Sequence, residues 1–415
     1  MAGFALERFG WDGLTVPADL KEISKNLPTA SHLKVLRPSQ SLSGVDVYFP
    51  YNFFHDGAEK YMPAYIKETA INDGGYAVIY SGRRAIYKPK EAENNTFTLE
   101  KHSGFEPICI KRINLNILPE EDEQTPASRD KTYDDEIKAI LYEAYIHAVI
   151  CDLFEREGYP MAIPHLYEIC AISKDWSDTH EKTEIDSIWI IMELLNGITL
   201  EKFLMRNLVI GSREDNDRIM IDVILQVSFY LHLLQEKLHF NHRDLKINNI
   251  FVRHHESSWS HTIKSPIFGS WTCKNDIILI DFGFACISCG PQSPTPRATL
   301  LGAGSWFRQE HDCMKYGRDI GQFLFSVHCQ FPFEQYLTPK LSRVLRQALT
   351  AKLGTGTVDV LNGFENDGRP RTNTSYRPMF NNGIYIFLRD NTVDIPGCRP
   401  AVLIKTLMDS FIPKR

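Results

Sequence analysis

The sequence has no apolar run long enough to cross a bilayer; the longest lies near Ile188–Leu195. Its first residues, MAGFALERFGWDGL, lack a basic start followed by an apolar core, so no export signal is expected. Ala2 stands where a myristoylation signal needs glycine. Basic charge is not in excess. The 46 Lys and Arg against 52 Asp and Glu leave a net charge of −6, which removes the electrostatic reason to expect nucleic acid as a partner. No internal repeat is visible. The nine cysteines are odd in number and scattered, so they suggest no disulfide framework. Free thiols in a reducing, intracellular compartment, cytoplasm or nucleus, are the expectation.

What is present is a chain of 415 residues, enough for two domains or two lobes. Residues 1–65 carry no motif and read as an N-terminal extension. From Ile71 to Lys111 the pattern is strand-like: AVIYS, RAIYK, then PICIKRI. The acidic stretch PEEDEQTPASRDK at 119–131 reads as a solvated loop. A helical run follows, with apolar residues at Ile137, Ile140, Leu141, Ala144, Ala148 and Cys151. SIWIIMELL is a buried-strand pattern closed by Asn196-Gly197, and a longer helix is expected over roughly Arg218–Leu238. Two short strands, NIFV and IILI, flank an insert rich in Gly, Pro, Ser and His that reads as a hairpin excursion. From about Gly317 the chain reads as mostly helical. The expected fold class is α+β and two-lobed: a small strand-rich part over 66–195 and a larger helical part over 196–415.

The loop HRDLKINN, residues 242–249, concentrates chemistry. Phosphoryl transfer needs a base near the attacking hydroxyl, cations over the phosphates, and ligands to hold those cations. Asp244 can accept the hydroxyl proton. Lys246 can offset charge developing on the phosphoryl group in flight. Asn249 offers a carbonyl oxygen suited to a hard cation such as Mg²⁺. A second metal ligand belongs nearby, and DFG at Asp281–Gly283 puts Asp281 at the end of the strand ILI. DFG alone is a weak signal; after HRDLKINN and in this order it is specific.

On these two motifs the chain resembles eukaryotic-type protein kinases over about residues 66–415. The resemblance implies ATP and magnesium in an interlobe cleft, Asp244 as catalytic base, and Asn249 and Asp281 as metal ligands. It also implies a strand lysine on the phosphates, oriented by a helix glutamate. ICIKRI matches that lysine pattern, which makes Lys111 the choice. Lys88 in RAIYKP is the rival, set aside because the following proline would interrupt strand pairing. Glu143 is the matching glutamate, and Glu136 reads as an exposed helix charge. The glycine-rich loop falls on residues 72–79, with Asn72 and Ala77 where the family has glycine. Gly74, Gly75, Tyr76 and Ala77 would cover the phosphates, less closely than a full glycine loop. Ile71 and Ile79 would sandwich the adenine, Cys109 and Phe251 would complete its apolar walls, and Met192 would lie behind it. Backbone groups of Glu193 and Leu195 would hydrogen-bond the base.

The chain departs from the family where A-P-E should follow DFG; it reads AGSWFRQEHDCMKYGRDIGQFLFSV. Asp319 there resembles the family's buried helix aspartate, which braces the catalytic loop. The substrate floor is altered, which bears on protein recognition and not on the ATP machinery. Long inserts and the acidic stretch resemble kinases encoded by large DNA viruses, a source that would add the virion as a location. Arg243 is the residue that in many relatives pairs with a phosphorylated segment, and Ser293, Thr295 and Thr299 lie in that segment. Cys286-x-x-Cys289, with His311 and Cys313, offers zinc ligand types at a non-standard partner spacing, so unliganded thiols are expected. His254, His255 and His261 read as solvated. The resemblance implies transfer from ATP to Ser or Thr hydroxyls of a protein substrate, Lys246 favouring that acceptor class. A nucleotide-binding scaffold without transfer, and a small-molecule phosphotransferase, are the alternatives.

Overall fold

A computed structural model of the protein describes residues 4–5, 15–16, 33–42, 45–50, 62–73, 77–92, 96–114, 133–173, 185–256, 258–297, 299–303, 313–353, 356–359 and 394–412. The chain divides into two compact units, Met1–Glu155 with Pro164–Leu195, and Arg156–Ile163 with Asn196–Arg415.

The first unit is built on one sheet. After a two-residue pair, β1 (Phe4–Ala5) with β2 (Thr15–Val16), come β3 (Lys34–Leu42), β4 (Val45–Pro50), β5 (Met62–Asp73), β6 (Val78–Ala92), β7 (Thr96–Lys101) and β8 (Glu106–Asn114). Helix α1 (Tyr133–Arg156) follows, then β9 (Leu166–Ser173) and β10 (Ile185–Glu193). The strand order is β5-β4-β3-β9-β10-β8-β6-β7, and β6 returns to pair with β5. Seven strands therefore close into a ring with β7 outside it, and closure removes most of the exposed edges. Among the described residues, only β3–β9 is parallel. Alternation sorts the side chains. Tyr48 and Tyr65 fall in one core with Ile108, Ile110, Trp189 and Ile191. Their sequence neighbours Val47, Phe49, Ala64 and Ile66 fall in another, with Ala85 and Tyr87.

Two sequence expectations change here. The boundary at residue 65 falls inside β5, and β3 and β4 belong to the same sheet as the strands after it, so these described strands are not a separate extension. Pro89 does not end β6. Among the described residues, the pairing with β8 stops at Arg84 and that with β5 at Tyr87, and β7 lies beside Pro89. An edge position tolerates a missing N–H.

The second unit is mainly helical. It contains β11 (Gly197–Thr199), α2 (Leu200–Asn207), α3 (Arg213–Leu238), β12 (Phe240–Asn241), β13 (Ile250–Arg253) and the hairpin β14 (His261–Ser265)–β15 (Gly269–Cys273). Then come β16 (Asp276–Leu279), β17 (Cys286–Ser288), β18 (Thr299–Gly302), α4 (Arg318–Gln330), α5 (Phe333–Tyr336), α6 (Pro339–Ala348), the pair β19 (Thr350–Leu353)–β20 (Gly356–Asp359), and α7 (Pro400–Phe411). Two three-stranded sheets, β11-β13-β16 and β12-β17-β18, hold the segments that matter below.

Helix α3 organises this unit. Ser212 caps its start, its hydroxyl accepting from the Asp215 amide, and Asp215 sits in the first turn where the helix dipole favours negative charge. The body from Met220 to Leu238 is largely buried, and α7 packs against it. By length and apolar content α3 could cross a membrane, but 72% of its most apolar window is buried inside the protein, as in a core helix. It ends at His239, whose left-handed φ of 48° turns the chain into β12.

Candidate functional site

The loop after β12 is held from three sides. Asp319, in the first turn of α4, is fully buried. Its Oδ2 accepts from the His242 amide at 2.8 Å and from Asn241 Nδ2 at 3.0 Å. Its Oδ1 accepts from the Arg243 amide at 3.0 Å. Ser326, two turns along α4, accepts from the Ile247 amide at 3.1 Å. The His242 ring lies against Phe282 with centroids 5.5 Å apart, and its Nε2 is 3.1 Å from the Ile280 carbonyl. Arg243 takes a positive φ of 65°. A non-glycine residue holds that conformation only where its surroundings over-determine it. Asp319→Ala would leave these donors buried without their carboxylate. The expected loss is about 3–5 kcal/mol of stability, measured by denaturant unfolding.

Inside this frame Asp244 is buried. Its Oδ2 accepts from Lys246 Nζ and from Asn249 Nδ2, both at 2.9 Å. Asn249 Nδ2 also donates to the Asp244 carbonyl at 2.8 Å. No described residue donates to Asp244 Oδ1 or to Asn249 Oδ1, so each has a lone pair for a proton or a cation. Burial pushes the Asp244 carboxyl above the ordinary carboxylate range; Lys246 pulls it back, and the charge of Asp281 raises it further. Asp281 is exposed and, like Arg243, has a φ of 65°. The Asn249 carbonyl accepts from the Ile280 amide at 3.0 Å, tying the loop to the strand that delivers Asp281. The second unit thus brings together Asp244, Lys246, Asn249 and Asp281. A carboxylate beside a lysine, with a free amide oxygen and an exposed carboxylate close by, suits proton acceptance and a hard cation.

The first unit holds the other pair. Lys111 on β8 reaches Glu143 on α1, Nζ to Oε1 at 2.5 Å. Both are mostly shielded, at 14% and 11% side-chain exposure, so this pair is screened less than a surface one. Lys88 lies on β6 opposite Glu100 instead. His147, one turn beyond Glu143, is buried against the Pro164 carbonyl. Burial, with Lys111 adding to it, pushes this histidine down to about 4. It is neutral at physiological pH and does not compete with Lys111 for the carboxylate.

Other expected residues are placed as follows. In register, Ile79 faces Lys111 across β6–β8, and Met192 faces Cys109 across β10–β8. Burial raises the Cys109 thiol to about 11. Ile71 is exposed, and Ala77 opens the approach to β6. Gly74, Gly75 and Tyr76 lie outside the described residues. The Glu193 amide donates to the His165 carbonyl at 2.8 Å. Leu195 closes the first unit, and Phe251 is half-buried on β13 of the second.

Two expectations are corrected. Cys286 and Cys313 form a disulfide, so these two are not free thiols and Cys286 is not available to zinc beside Cys289. His311 lies outside the described residues. His255 is exposed, as expected, and its Nε2 also lies 2.8 Å from Asp276 Oδ2 while its ring stacks on Trp259 at 4.2 Å. His261 is partly buried, which pushes its imidazole down. The sequence reading also missed Asn241 and Ser326.

No protein-family model matches this chain, and no curated protein matches it.

Proposed function

We propose that the protein is a divergent protein-kinase-like phosphotransferase that moves the γ-phosphoryl group of ATP to Ser or Thr hydroxyls of a protein. In this reading the strand-rich unit and the helical unit correspond to the family's two lobes. The observation that carries it is the Asp244 carboxylate, fixed at one oxygen by Lys246 and Asn249 and open at the other. The substrate hydroxyl oxygen attacks the γ-phosphorus, the bond to the β–γ bridging oxygen breaks, and the hydroxyl proton passes to Asp244. Lys246 offsets the charge that develops. Lys111, oriented by Glu143, engages the phosphates. The free Asn249 oxygen and the Asp281 carboxylate fit magnesium, whose chemistry is to neutralise phosphate charge.

Incubation with labelled ATP, magnesium and a generic protein substrate tests this. Label on Ser and Thr, lost in Asp244→Asn, is expected. Tight nucleotide binding with no transfer would instead favour a scaffold, the reading that Asn72 and Ala77 in the glycine loop suggest.

Activation is expected to run through Thr299. Arg243 Nη2 donates to the Thr299 hydroxyl at 3.1 Å, whereas Ser293 Oγ accepts from the Thr295 amide. A phosphate on Thr299 would pair with the guanidinium. Thr299→Ala is expected to lower activity about tenfold and Ser293→Ala to leave it unchanged. Full activity in protein shown by intact mass to carry no phosphate would end the idea.

A further inference from the structure

The loop that carries Asp244 is gripped by two devices that the transfer reaction itself does not use. Asn241, fully buried, has its carboxamide occupied at both ends. Its Oδ1 accepts from the Lys315 amide at 2.7 Å, and its Nδ2 donates to Asp319 at 3.0 Å and to the Lys315 carbonyl at 3.4 Å. One side chain thus joins the loop, the segment before α4, and α4 itself. Directly across β12–β17, Asn241 is in register with Cys286. Cys286 is bonded to Cys313, two residues before Lys315, and the two Cα atoms are 5.8 Å apart. The disulfide therefore covalently joins the strand that pairs with Asn241 to the segment that Asn241 grips. Cys313 is pinned further, its amide donating to the Arg297 carbonyl at 2.8 Å. Both sulfur-bearing residues are completely buried, while Cys289, three residues on, is a partly exposed free thiol.

We propose that Asn241 and the Cys286–Cys313 disulfide form a redox-sensitive brace that holds the Asp244 loop in its working position. This rests on the phosphotransferase reading and concerns regulation of that same site. A dithiol is the reductant. When the segment opens locally and uncovers the buried sulfurs, one thiolate of the dithiol attacks a cystine sulfur, the Cys286–Cys313 bond breaks, and a mixed disulfide forms. Its second thiol closes a disulfide within the reductant and releases the remaining protein thiol. Two electrons and two protons pass to the protein. The cross-link spans 27 residues, so its loss removes the covalent tie between β17 and the approach to α4, while Thr299 stays paired on β18. Asn241 then holds the loop to the approach to α4 without the covalent link, beside the bonds to Asp319 and Ser326. It is a positioning residue: it touches no substrate and acts through the backbone of His242 to Asp244. A small displacement of the base costs rate and not nucleotide affinity, because Lys111 and Glu143 lie on other elements.

The test uses the full chain, oxidised and then treated with dithiothreitol. Differential alkylation and peptide mass give the state of Cys286 and Cys313, with Cys289 as the internal control. Reduction is expected to lower kcat about tenfold or more and to leave KM for ATP within about twofold. Re-oxidation restores kcat. Cys286→Ser with Cys313→Ser reproduces the reduced protein, and Asn241→Leu lowers kcat in both states. If these variants fail to fold, the reduced wild type carries the test alone. An unchanged kcat with both cysteines shown reduced overturns the proposal. So does an equal change in KM, or a fully active preparation in which the two are thiols. If neither state transfers phosphate, the phosphotransferase reading has failed, and amide exchange decides the brace separately. Faster exchange at His242 and Arg243 after reduction upholds it, and equal exchange refutes it.

Discussion

Asp244→Asn is expected to lower phosphoryl transfer by about 10²–10⁴-fold, the usual contribution of a positioned general base. The substitution is nearly isosteric, and the loop around it is held by groups it does not touch. The His242 and Arg243 amides still donate to Asp319, and the Ile247 amide to Ser326. The fold therefore survives. What is lost is an oxygen able to take a proton, and a charge that Lys246 and Asn249 now hold in place at 2.9 Å. Nucleotide affinity is expected to stay within a fewfold, because in the proposed reaction Asp244 meets the reacting hydroxyl and not the base or ribose. Single-turnover transfer beside equilibrium binding of ATP with magnesium checks both halves. A variant that retains more than a tenth of the wild-type rate would remove Asp244 from the role of base.

Lys111→Met is expected to lower kcat/KM by about 10²–10³-fold. Methionine keeps the apolar stem of lysine on β8 and removes only the charge. Arginine would not restore activity, since its planar fork cannot replace a compact ammonium in contact with Glu143. Glu143→Gln is expected to act in the same direction but less strongly. Because the two side chains form one shielded ion pair, the double variant is expected to lose little beyond Lys111→Met alone. Additive losses would mean that Lys111 and Glu143 act separately. Lys88→Met serves as the control, lying opposite Glu100 on β6–β7 and expected to keep full activity.

The chemistry of the loop was legible because it is contiguous. Asp244, Lys246 and Asn249 lie within six residues, and the two short strands around the insert bracket it. The insert itself folds as the hairpin that its Gly and Ser residues implied. Lys111 and Glu143, 32 residues apart, could be paired only through resemblance. The strands before residue 65 were not legible for a physical reason. Val47 and Phe49 bury on one face and Tyr48 on the other, so both faces are apolar and no alternation between polar and apolar appears. β6 was read too short, since Pro89 looked like an interruption and instead pairs with Leu99 of β7 inside the strand. The disulfide could not be read at all, because spacing does not fix pairing among nine cysteines. Asn241 was hidden in the same way: its three partners come from a segment more than seventy residues away.

An acyl-phosphate derivative of ATP, which transfers its acyl group to lysines lying beside bound phosphates, addresses the phosphotransferase reading most directly. With magnesium present, peptide mapping is expected to find the label on Lys111 and Lys246, and excess ATP to abolish it. Label on Lys88 instead, or labelling of neither Lys111 nor Lys246 under conditions where the protein is folded, would contradict the assignment of these residues to one phosphoryl-transfer reaction.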